Sequence, residues 1–317
     1  MQNHTYLTKS LSPAAKRGFI TIATGDQKYY QMAVNLLHSY RQYSDDPSPF
    51  SLICDHDCPE AREFDSFVLI ENATQSYLDK LYLHRYTPYE ETIFIDADSL
   101  ILSNTQLLWD DFANCPDFSC YGISLSLDSH EGWFFYEDME ELKPNLSFGI
   151  SMHGGLYFLR KNEKCNDIFE KALHFSAHYH SYKFACFKDP ADEPVLALSM
   201  ALAGRKPCPI KNRIVYLPSH DGNLCIDRKG TLLFQNRPCE SIILHFGNRN
   251  IPRFLYQCLL ATMKYNSNGG TGSLPVSKRI AIRLLYLSED TKSAVKRILR
   301  KLLPSSFLLV LKKAMHK

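Results

Sequence analysis

An Asp-x-Asp sequence directly after an apolar run is the feature of this 317-residue chain that most strongly suggests chemistry. Residues 92–95, Thr-Ile-Phe-Ile, predict a buried strand, and Asp96-Ala97-Asp98 follows it at once. The residue between the two acids turns away, so both carboxylates would face the same edge of the sheet. Carboxylate oxygens are the ligands that Mg²⁺ and Mn²⁺ prefer. We therefore predict a divalent-cation site that would bridge the diphosphate of a nucleotide and take up charge as it leaves.

A second acidic pair, Asp55-His56-Asp57, competes with the first for this role. A chain of this length with 20 Asp residues contains about one Asp-x-Asp by chance, so one of the two pairs is expected to be an ordinary acidic turn. Apolar runs lie on both sides of Asp96 and Asp98, and a buried pair of like charges is costly without a cation. We assign the cation site to Asp96 and Asp98, and a solvated turn to Asp55 and Asp57.

The elements that would position these acids alternate short apolar runs with amphipathic segments. Predicted strands cover residues 19–23, 50–54, 67–70, 92–95, 155–159 and 242–246, and predicted helices cover residues 29–40, 76–85, 163–180, 192–203 and 254–263. This order predicts an α/β fold with a mostly parallel sheet and helices on both faces. Ligands of such sheets bind at the carboxyl ends of the strands, where Gly25, Asp55 and Asp96 all fall.

Composition and charge exclude several classes of protein. Hydrophobic residues make up 45% of the chain and aromatic residues 12%, which is typical of a folded domain with a full core and not of a disordered protein or a rod. Of the 36 basic and 34 acidic residues, 11 basic and only two acidic ones lie in residues 277–317. The rest of the chain is therefore net acidic, and we expect no nucleic acid as a partner.

At this point the residues resemble a known family. The segment Phe19-Ile-Thr-Ile-Ala-Thr-Gly-Asp26, Lys80-Leu-Tyr-Leu and Phe94-Ile-Asp-Ala-Asp98 are similar to the opening half of GT-A glycosyltransferases of the glycogenin and galactosyltransferase type, glycosyltransferase family 8 and its bacterial relatives. Three later motifs continue in the family's order: His153-Gly-Gly-Leu-Tyr-Phe158, Asp192-Glu193-Pro194 and Leu244-His-Phe-Gly247. The similarity covers roughly residues 18–255 and implies a GT-A, Rossmann-like fold.

The resemblance also implies a site. Asp96, Asp98 and His245 would bind Mn²⁺ or Mg²⁺, and Asp192 with Glu193 would face the transferred sugar or the acceptor. The implied donor contacts are Ala23, Thr24, Gly25 and Tyr29 at the base and ribose, Lys80 and Ala97 near the diphosphate, and His153, Gly154 and Gly155 at the sugar.

Three motifs depart from the family's pattern. His153 stands where the family has Asn, and Glu193 stands where it has Gln. After His245 the family usually has Gly-x-x-Lys-Pro-Trp, whereas this chain has Gly247-Asn-Arg249-Asn-Ile-Pro-Arg253. Arg249 or Arg253 is expected to replace the lysine on a phosphate, because a guanidinium binds phosphate through two N–H groups.

The resemblance implies transfer of a hexose from a nucleotide diphosphate sugar, most simply a UDP-sugar, to a hydroxyl of a glycan or lipid-linked acceptor. Retention of anomeric configuration is implied, whereas inverting transfer would need a carboxylate base such as Asp192 or Glu193. Two alternatives stay open. One is a non-catalytic protein that binds nucleotide sugars as a scaffold. The other is a haloacid-dehalogenase-like phosphatase, because residues 94–99 resemble the nucleophile strand of that family.

The domain organisation predicted from the sequence has three parts. Residues 1–264 form the catalytic domain, 265–276 a linker rich in Gly and Ser, and 277–317 a basic amphipathic helical tail. For the tail we expect binding to an anionic membrane surface, with docking on a partner helix or packing against the acidic domain as alternatives. An aromatic run at residues 133–136 is either an acceptor platform or the packing of a lid. No signal peptide or membrane-spanning segment is predicted, and the ten cysteines read as reduced thiols, so we expect a cytoplasmic protein that binds the membrane peripherally.

Overall fold

The computed structural model describes residues 6–10, 15–129, 141–182, 184, 189–209, 213–220 and 223–291. The aromatic run at 133–136 and the tail beyond residue 291 lie outside these ranges. The chain divides into two compact units. The first contains residues 1–215 and 240–245, and the second contains residues 216–239 and 246–317. The boundaries predicted from the sequence, at residues 264 and 276, stay a prediction.

Thirteen strands are present in the described part of the chain. They are β1 (Tyr6–Ser10), β2 (Arg17–Ala23), β3 (Phe50–Cys54), β4 (Ser66–Ile70), β5 (Glu91–Ile95), β6 (Ser99–Ile101), β7 (Phe118–Leu125), β8 (Gly149–Arg160), β9 (Ile214–Tyr216), β10 (Leu224–Ile226), β11 (Leu232–Phe234), β12 (Arg237–Pro238) and β13 (Ile243–His245).

The α-helices of the described residues number eight. They are α1 (Gln27–Tyr43), α2 (Leu83–Tyr86), α3 (Gln106–Phe112), α4 (Glu163–Ala177), α5 (Asp192–Leu202), α6 (Leu217–His220), α7 (Phe254–Ser267) and α8 (Val276–Leu285). Short 3₁₀ segments lie at Ala61–Glu63, Tyr77–Tyr82, Lys143–Asn145, Tyr179–Ser181 and Asn248–Asn250. No helix of the described residues is long and apolar enough to cross a membrane.

The main sheet of the first unit has seven strands in the order β1-β4-β3-β2-β5-β8-β7. The pairs β4–β3, β3–β2 and β2–β5 are parallel, whereas β1–β4, β5–β8 and β8–β7 are antiparallel. Five of the seven strands therefore run in one direction, with β1 and β8 reversed. This arrangement confirms the predicted α/β fold with a mostly parallel sheet.

Helices cover both faces of this sheet, as the strand sequences require. Phe19 and Ile20 are neighbours on β2, so their side chains point to opposite faces. Phe19 packs against Tyr40 of α1 and Trp109 of α3, whereas Ile20 belongs to the cluster that contains the buried residues of α4 and α5. All five residues of β3 are buried, which explains why the central strands are apolar without alternation.

A small sheet, β6-β13-β9, completes the edge that holds the predicted site. Strand β6 begins directly after Asp98, and β13 pairs with it antiparallel so that His245 lies opposite Ser99. In the second unit, β10, β11 and β12 form an antiparallel sheet, and α7 packs against α8.

The strands predicted in the first hundred residues agree with the structure to within two residues at each end. Two of the predicted elements differ from the structure in type or in where they begin. The predicted helix 76–85 is a 3₁₀ segment, Tyr77–Tyr82, followed by the single α-helical turn α2, because the Asp79 carboxylate binds the backbone N–H groups of Thr74 and Gln75 and tightens the chain. The strand predicted at 155–159 is the second half of β8, which begins six residues earlier at Gly149.

Candidate active site and metal centre

Asp96, Asp98 and His245 form a cluster that could hold a metal ion. One ligand atom from each residue lies within 4.8 Å of the other two. Among the described residues, no other group of three or more His, Cys, Asp or Glu side chains has such an arrangement. The His245 Nε2 atom is 3.0 Å from Asp98 Oδ1 and 3.6 Å from Asp96 Oδ2. The predicted ligand set therefore converges in space although 146 residues lie between Asp98 and His245.

Backbone pairing explains the convergence. The amide of Asp96 donates to the carbonyl of Gly155 on β8 at 3.0 Å, and the amide of Ser99 donates back to the Asp96 carbonyl at 3.1 Å. These bonds fix a tight turn from β5 into β6, and both carboxylates project from it. The antiparallel register of β6 and β13 then places His245 beside Ser99 and so beside the turn.

Burial and mutual charge decide the ionisation of this cluster. Burial raises the pKa of Asp96, Asp98 raises it further, and Lys80 and His245 act in the opposite direction. Burial acts on Asp98 in the same sense, but the His245 imidazole beside it holds the pKa of that carboxyl below its usual value. The same carboxylates raise the pKa of His245 although burial opposes them. Two acids and a buried imidazole thus form an environment that favours positive charge.

Lys80 links this cluster to the second acidic pair. Its side chain is buried, and its ammonium lies 2.8 Å from Asp96 Oδ2, 3.3 Å from the Gly154 carbonyl and 3.4 Å from Asp192 Oδ2. An ammonium has three N–H groups, and three protein oxygens surround this one. Burial opposes its charge, but Asp192 and Asp96 raise the pKa of Lys80 above its usual value. Lys80 is therefore a fixed positive charge between two carboxylates.

Asp192 is the first residue of α5 and is buried. Ala191 occupies the N-cap position, and no side chain caps the helix. The Asp192 carboxylate instead accepts a 2.6 Å hydrogen bond from the hydroxyl of Tyr157, which is fully buried on β8. Asp192 thus faces the sheet edge, held by Tyr157 on one side and Lys80 on the other.

Glu193 lies beside the glycines of β8. The Gly154 amide donates to Glu193 Oε1 at 2.6 Å, and a Cβ on Gly154 would overlap the Glu193 side chain. Burial, with a contribution from the neighbouring Asp192, raises the pKa of Glu193 to about 7. Gly154 is therefore required for the close approach of a carboxyl that changes charge near neutral pH.

His153 packs against the candidate metal ligand His245. The two ring centroids are 5.1 Å apart in an edge-to-face arrangement, and the Gly155 amide donates to His153 Nδ1 at 3.0 Å. Burial, together with the charges of His245 and Lys80, lowers the pKa of His153 to about 3, so the ring is neutral. Because Nδ1 accepts a hydrogen bond, the proton of the neutral ring resides on Nε2. A Cβ on Gly155 would overlap both rings.

The segment predicted to contact the base and ribose lies at the end of β2. Ala23 is buried, and Gly25 has a φ of +79°, a conformation that favours glycine. The Gly25 amide donates to Asp55 Oδ2 at 2.8 Å, and Thr24 Oγ1 donates to Asp79 Oδ2 at 3.1 Å. Tyr29 follows in the first turn of α1 and is half-buried. Ala97, between Asp96 and Asp98, is buried in the turn from β5 into β6.

Asp55 and Asp57 form no metal cluster in the structure as described. Asp55 accepts hydrogen bonds from the Gly25 amide, the Gln75 side chain and the Tyr30 hydroxyl, and Asp57 forms an ion pair with Arg62 at 2.9 Å. Burial opposes the ionisation of Asp55, but the hydrogen bonds from Tyr30, Gly25 and Gln75 hold the pKa of this carboxyl below its usual value. Asp55 therefore anchors the Gly25 loop.

Arg249 and Arg253 belong to the second unit. Arg249 is exposed at the 3₁₀ segment Asn248–Asn250. The Arg253 guanidinium donates to Asn250 Oδ1 at 2.6 Å and lies 3.4 Å from Asp290 Oδ1. The contact of either arginine with a phosphate stays a prediction.

Several residues of the site were not identified from the sequence. Asp55 and Asp79 fix the loops around Gly25, Tyr157 fixes Asp192, and Tyr77 places its ring 5.8 Å from the Lys80 ammonium. Asp55, Asp79 and Tyr157 bind Gly25, Thr24 and Asp192, which are 30 or more positions away along the chain, so local spacing carries no signal for them. The Asp55 position at the end of a strand was noted, but only as a turn.

Comparison with known proteins shows a likeness of fold. No protein-family model matches the chain, and no curated protein matches it in sequence. Among solved structures, the galactosyltransferase LgtC in complex with donor and acceptor sugar analogues is similar, with 14% identity and a TM-score of 0.50 over 83% of this chain and 99% of that one. An active-site mutant of LgtC matches with 12% identity, a TM-score of 0.50 and the same coverage.

A third match extends this likeness. The bifunctional glycosyltransferase WbbM has 12% identity and a TM-score of 0.51, over 77% of this chain and 48% of that one. The chain thus spans about half the length of WbbM. At these identities the likeness establishes a GT-A fold, similar to that of family 8 enzymes, and confirms the fold implied by the sequence motifs.

Proposed function

We propose that this protein is a metal-dependent glycosyltransferase that moves a hexose from a nucleotide diphosphate sugar, a UDP-sugar in the first instance, to a hydroxyl of a glycan or lipid-linked acceptor. The observation that carries the proposal is the convergence of Asp96, Asp98 and His245 at the carboxyl edge of a GT-A sheet. A GT-A fold alone would equally suit a protein that binds nucleotide sugars without catalysis.

The donor set of this cluster fits Mn²⁺ or Mg²⁺. Two carboxylates and one imidazole leave coordination positions for diphosphate oxygens and water, and oxygen-rich sets with one nitrogen suit these ions better than thiolate sets do. No cysteine thiol belongs to the cluster. When bound, such an ion would neutralise the negative charge that develops on the leaving diphosphate.

The protein's own side chains would preorganise the rest of the site. Lys80 is held rigidly at the same edge by Asp96 and Asp192, so its positive charge needs no rearrangement to stabilise negative charge nearby. The neutral His153 ring, with its proton on Nε2, can donate one hydrogen bond to a sugar or phosphate oxygen. The Gly25 loop, fixed by Asp55, and Tyr29 are proposed to bind the base and ribose.

Asp192 and Glu193 are proposed to face the transferred hexose. Asp192 is fixed by Tyr157 and Lys80, and Glu193 is fixed by the Gly154 amide, so both carboxyls have defined positions before substrate binds. Retention of the anomeric configuration is part of the proposal and follows the family resemblance. The configuration of the first product formed, read by proton NMR, would separate retention from inversion.

Two variants test the proposal. Purified protein is incubated with UDP-hexoses and Mn²⁺ or Mg²⁺, and release of UDP is measured with and without sugar acceptors. We expect activity that EDTA abolishes and that Asp98→Asn reduces by at least about 100-fold, since a metal ligand at the reacting centre is lost. Asp57→Asn is the matched control, because Asp57 belongs to the other Asp-x-Asp and forms an ion pair with the exposed Arg62. That control should keep its activity.

Different outcomes point to different functions. Binding of a UDP-sugar that raises the melting temperature, without UDP release under any condition, would favour the non-catalytic scaffold. Hydrolysis of a phosphomonoester would favour the phosphatase. That alternative needs the acidic strand to be the first strand of the fold, whereas it is the fifth strand here, β5.

A further inference from the structure

Exposed apolar side chains are concentrated in one short segment of the second unit. Eight large hydrophobic side chains are exposed among the described residues, and five of these lie between residues 276 and 287. They are Val276, Ile280, Leu284, Leu285 and Leu287, each more than half exposed. Single exposed apolar residues are normal on protein surfaces, but a contiguous group marks an interaction site.

Helix α8 arranges three of these residues in a row. Val276, Ile280 and Leu284 are spaced by four residues and so lie one above another on one side of the helix, which we call the α8 stripe. Arg279, also on α8, is half-buried, and its guanidinium donates to the carbonyls of Asp227 and Arg228 in the same unit. The helix is therefore anchored through Arg279, while each of the three stripe side chains is more than half exposed. No residue of α8 is buried.

Basic residues accompany the stripe. Lys278 and Arg283 are exposed on α8, with their charged groups near the rings of Tyr265 and Phe254. Residues 277–317 contain 11 basic and two acidic residues, whereas the rest of the chain contains 25 basic and 32 acidic ones. A negatively charged surface would thus attract this end of the protein and repel the remainder.

We propose that the α8 stripe docks on the surface of a membrane that contains anionic lipid. An apolar row on an amphipathic helix flanked by Lys and Arg suits the boundary between acyl chains and headgroups, where apolar side chains insert and basic ones pair with phosphate. A helix of ten residues is too short to cross a bilayer, so the segment lies in the plane of the surface. The charge asymmetry favours anionic lipid over an uncharged protein groove. This binding does not depend on the proposed transferase activity.

Flotation of the full-length protein with lipid vesicles tests the proposal. We expect the wild type to float with phosphatidylcholine vesicles that contain about 30 mol% phosphatidylglycerol, and to float much less with phosphatidylcholine alone or at high salt. The double variant Ile280→Asp, Leu284→Asp should show roughly tenfold lower partition on anionic vesicles, because two inserting side chains become charged. Leu107→Asp is the matched control, since Leu107 is an exposed leucine on α3 outside the stripe. It should float like the wild type.

Three results would overturn the proposal. The first is equal flotation of the double variant and the wild type. The second is wild-type binding that does not depend on phosphatidylglycerol. The third is a wild type that is dimeric by light scattering without lipid and becomes monomeric in the double variant, which would make a second copy of the chain the occupant of the stripe. The melting temperature of each variant verifies the fold, and a charge reversal at exposed Lys278, Lys278→Glu, provides a second variant that should also weaken flotation.

Discussion

At the scale of single residues, the two carboxyls after Ala191 are held by unlike means. Asp192 accepts a hydrogen bond from the Tyr157 hydroxyl and lies 3.4 Å from the Lys80 ammonium. Glu193 accepts a bond from the Gly154 amide, but burial and the neighbouring Asp192 raise its pKa to about 7. Adjacent positions of one helix therefore supply a carboxyl paired with a buried ammonium and a carboxyl that titrates near neutral pH.

Tyr157 is expected to act by positioning Asp192. Tyr157→Phe removes one hydroxyl and leaves the buried ring in place, so we expect kcat for transfer to fall by about tenfold while KM for the donor changes by less than about twofold. Tyr121→Phe is the matched control, because Tyr121 is also fully buried and donates to a carboxylate, Asp111, at 3.0 Å. Both variants should lose about 1–2 kcal/mol of unfolding free energy. Equal kcat values for the two would show that the Tyr157 hydroxyl contributes only to stability.

Glu193 is expected to make folding stability depend on pH. Its pKa is about 7 in the folded state against 4.5 for an exposed glutamate, so the folded protein binds this proton more tightly than the unfolded chain does. The contribution to stability is therefore fully present below about pH 4.5 and is lost as pH rises to about 7. Above that range the charged Glu193 destabilises the fold beside Asp192, while Lys80 and His245 partly offset the effect.

Glu193→Gln should remove this dependence. In buffers with EDTA, the variant is expected to exceed the wild type in unfolding free energy by on the order of 2 kcal/mol at pH 8, and the gap should close toward pH 5. Thermal or urea unfolding across this pH range measures it. The exposed Glu90, changed to Gln, should show no such gap. A difference in unfolding free energy that is the same at every pH would mean that the pKa of the Glu193 carboxyl is not raised by the fold.

The sequence identified the residues of this site whose types carry chemistry, and missed those that hold them. Asp96 and Asp98 were chosen because they follow a buried strand and lie between apolar runs, His245 was added by the family resemblance, and the structure brings the three together. Tyr157 looked like any aromatic residue of a buried strand. Its role depends on α5 lying against β8, which is a tertiary contact that no local pattern contains.

At the scale of elements, β8 does more than complete the sheet. It supplies the carbonyl that binds the Asp96 amide, the amide that binds Glu193, and the close approach of Gly155 to His245. The sequence predicted only its apolar second half, since Gly149-Ile-Ser-Met-His-Gly lacks the β-branched run that marks a strand. His153 and Gly154, which belong to the site, lie in the half that the sequence did not predict.

Gly155→Ala should weaken metal binding selectively. A methyl group there would overlap the rings of His245 and His153, so we expect the affinity for Mn²⁺ to fall by at least about tenfold, as calorimetry or electron paramagnetic resonance would measure. Gly154→Ala is the matched control, because its methyl group meets the flexible Glu193 side chain. That variant should keep Mn²⁺ affinity within about twofold. Equal losses would mean that strand distortion, and not the His245 contact, decides metal affinity.

At the scale of the whole molecule, the α/β class and the mostly parallel sheet followed from the order of apolar runs and amphipathic segments, because chain order limits how strands can pair. The division into two units did not follow. Residues 240–245 belong to the first unit although their neighbours on both sides belong to the second, and sequence composition does not change at these points. The basic C-terminal region was evident from charge alone, whereas the α8 stripe became visible only once exposure was known.

The pairing of β13 with β6 has a consequence for how the chain is made. A polypeptide emerges from the ribosome with its N-terminus first, so the turn at Asp96 and Asp98 emerges long before His245 does. A nascent chain would hold the two acids without their third partner until residue 245 has been made. Lys80, which emerges earlier than either acid, is already available to neutralise Asp96 during that interval. The complete set of three candidate ligands therefore exists only late in synthesis.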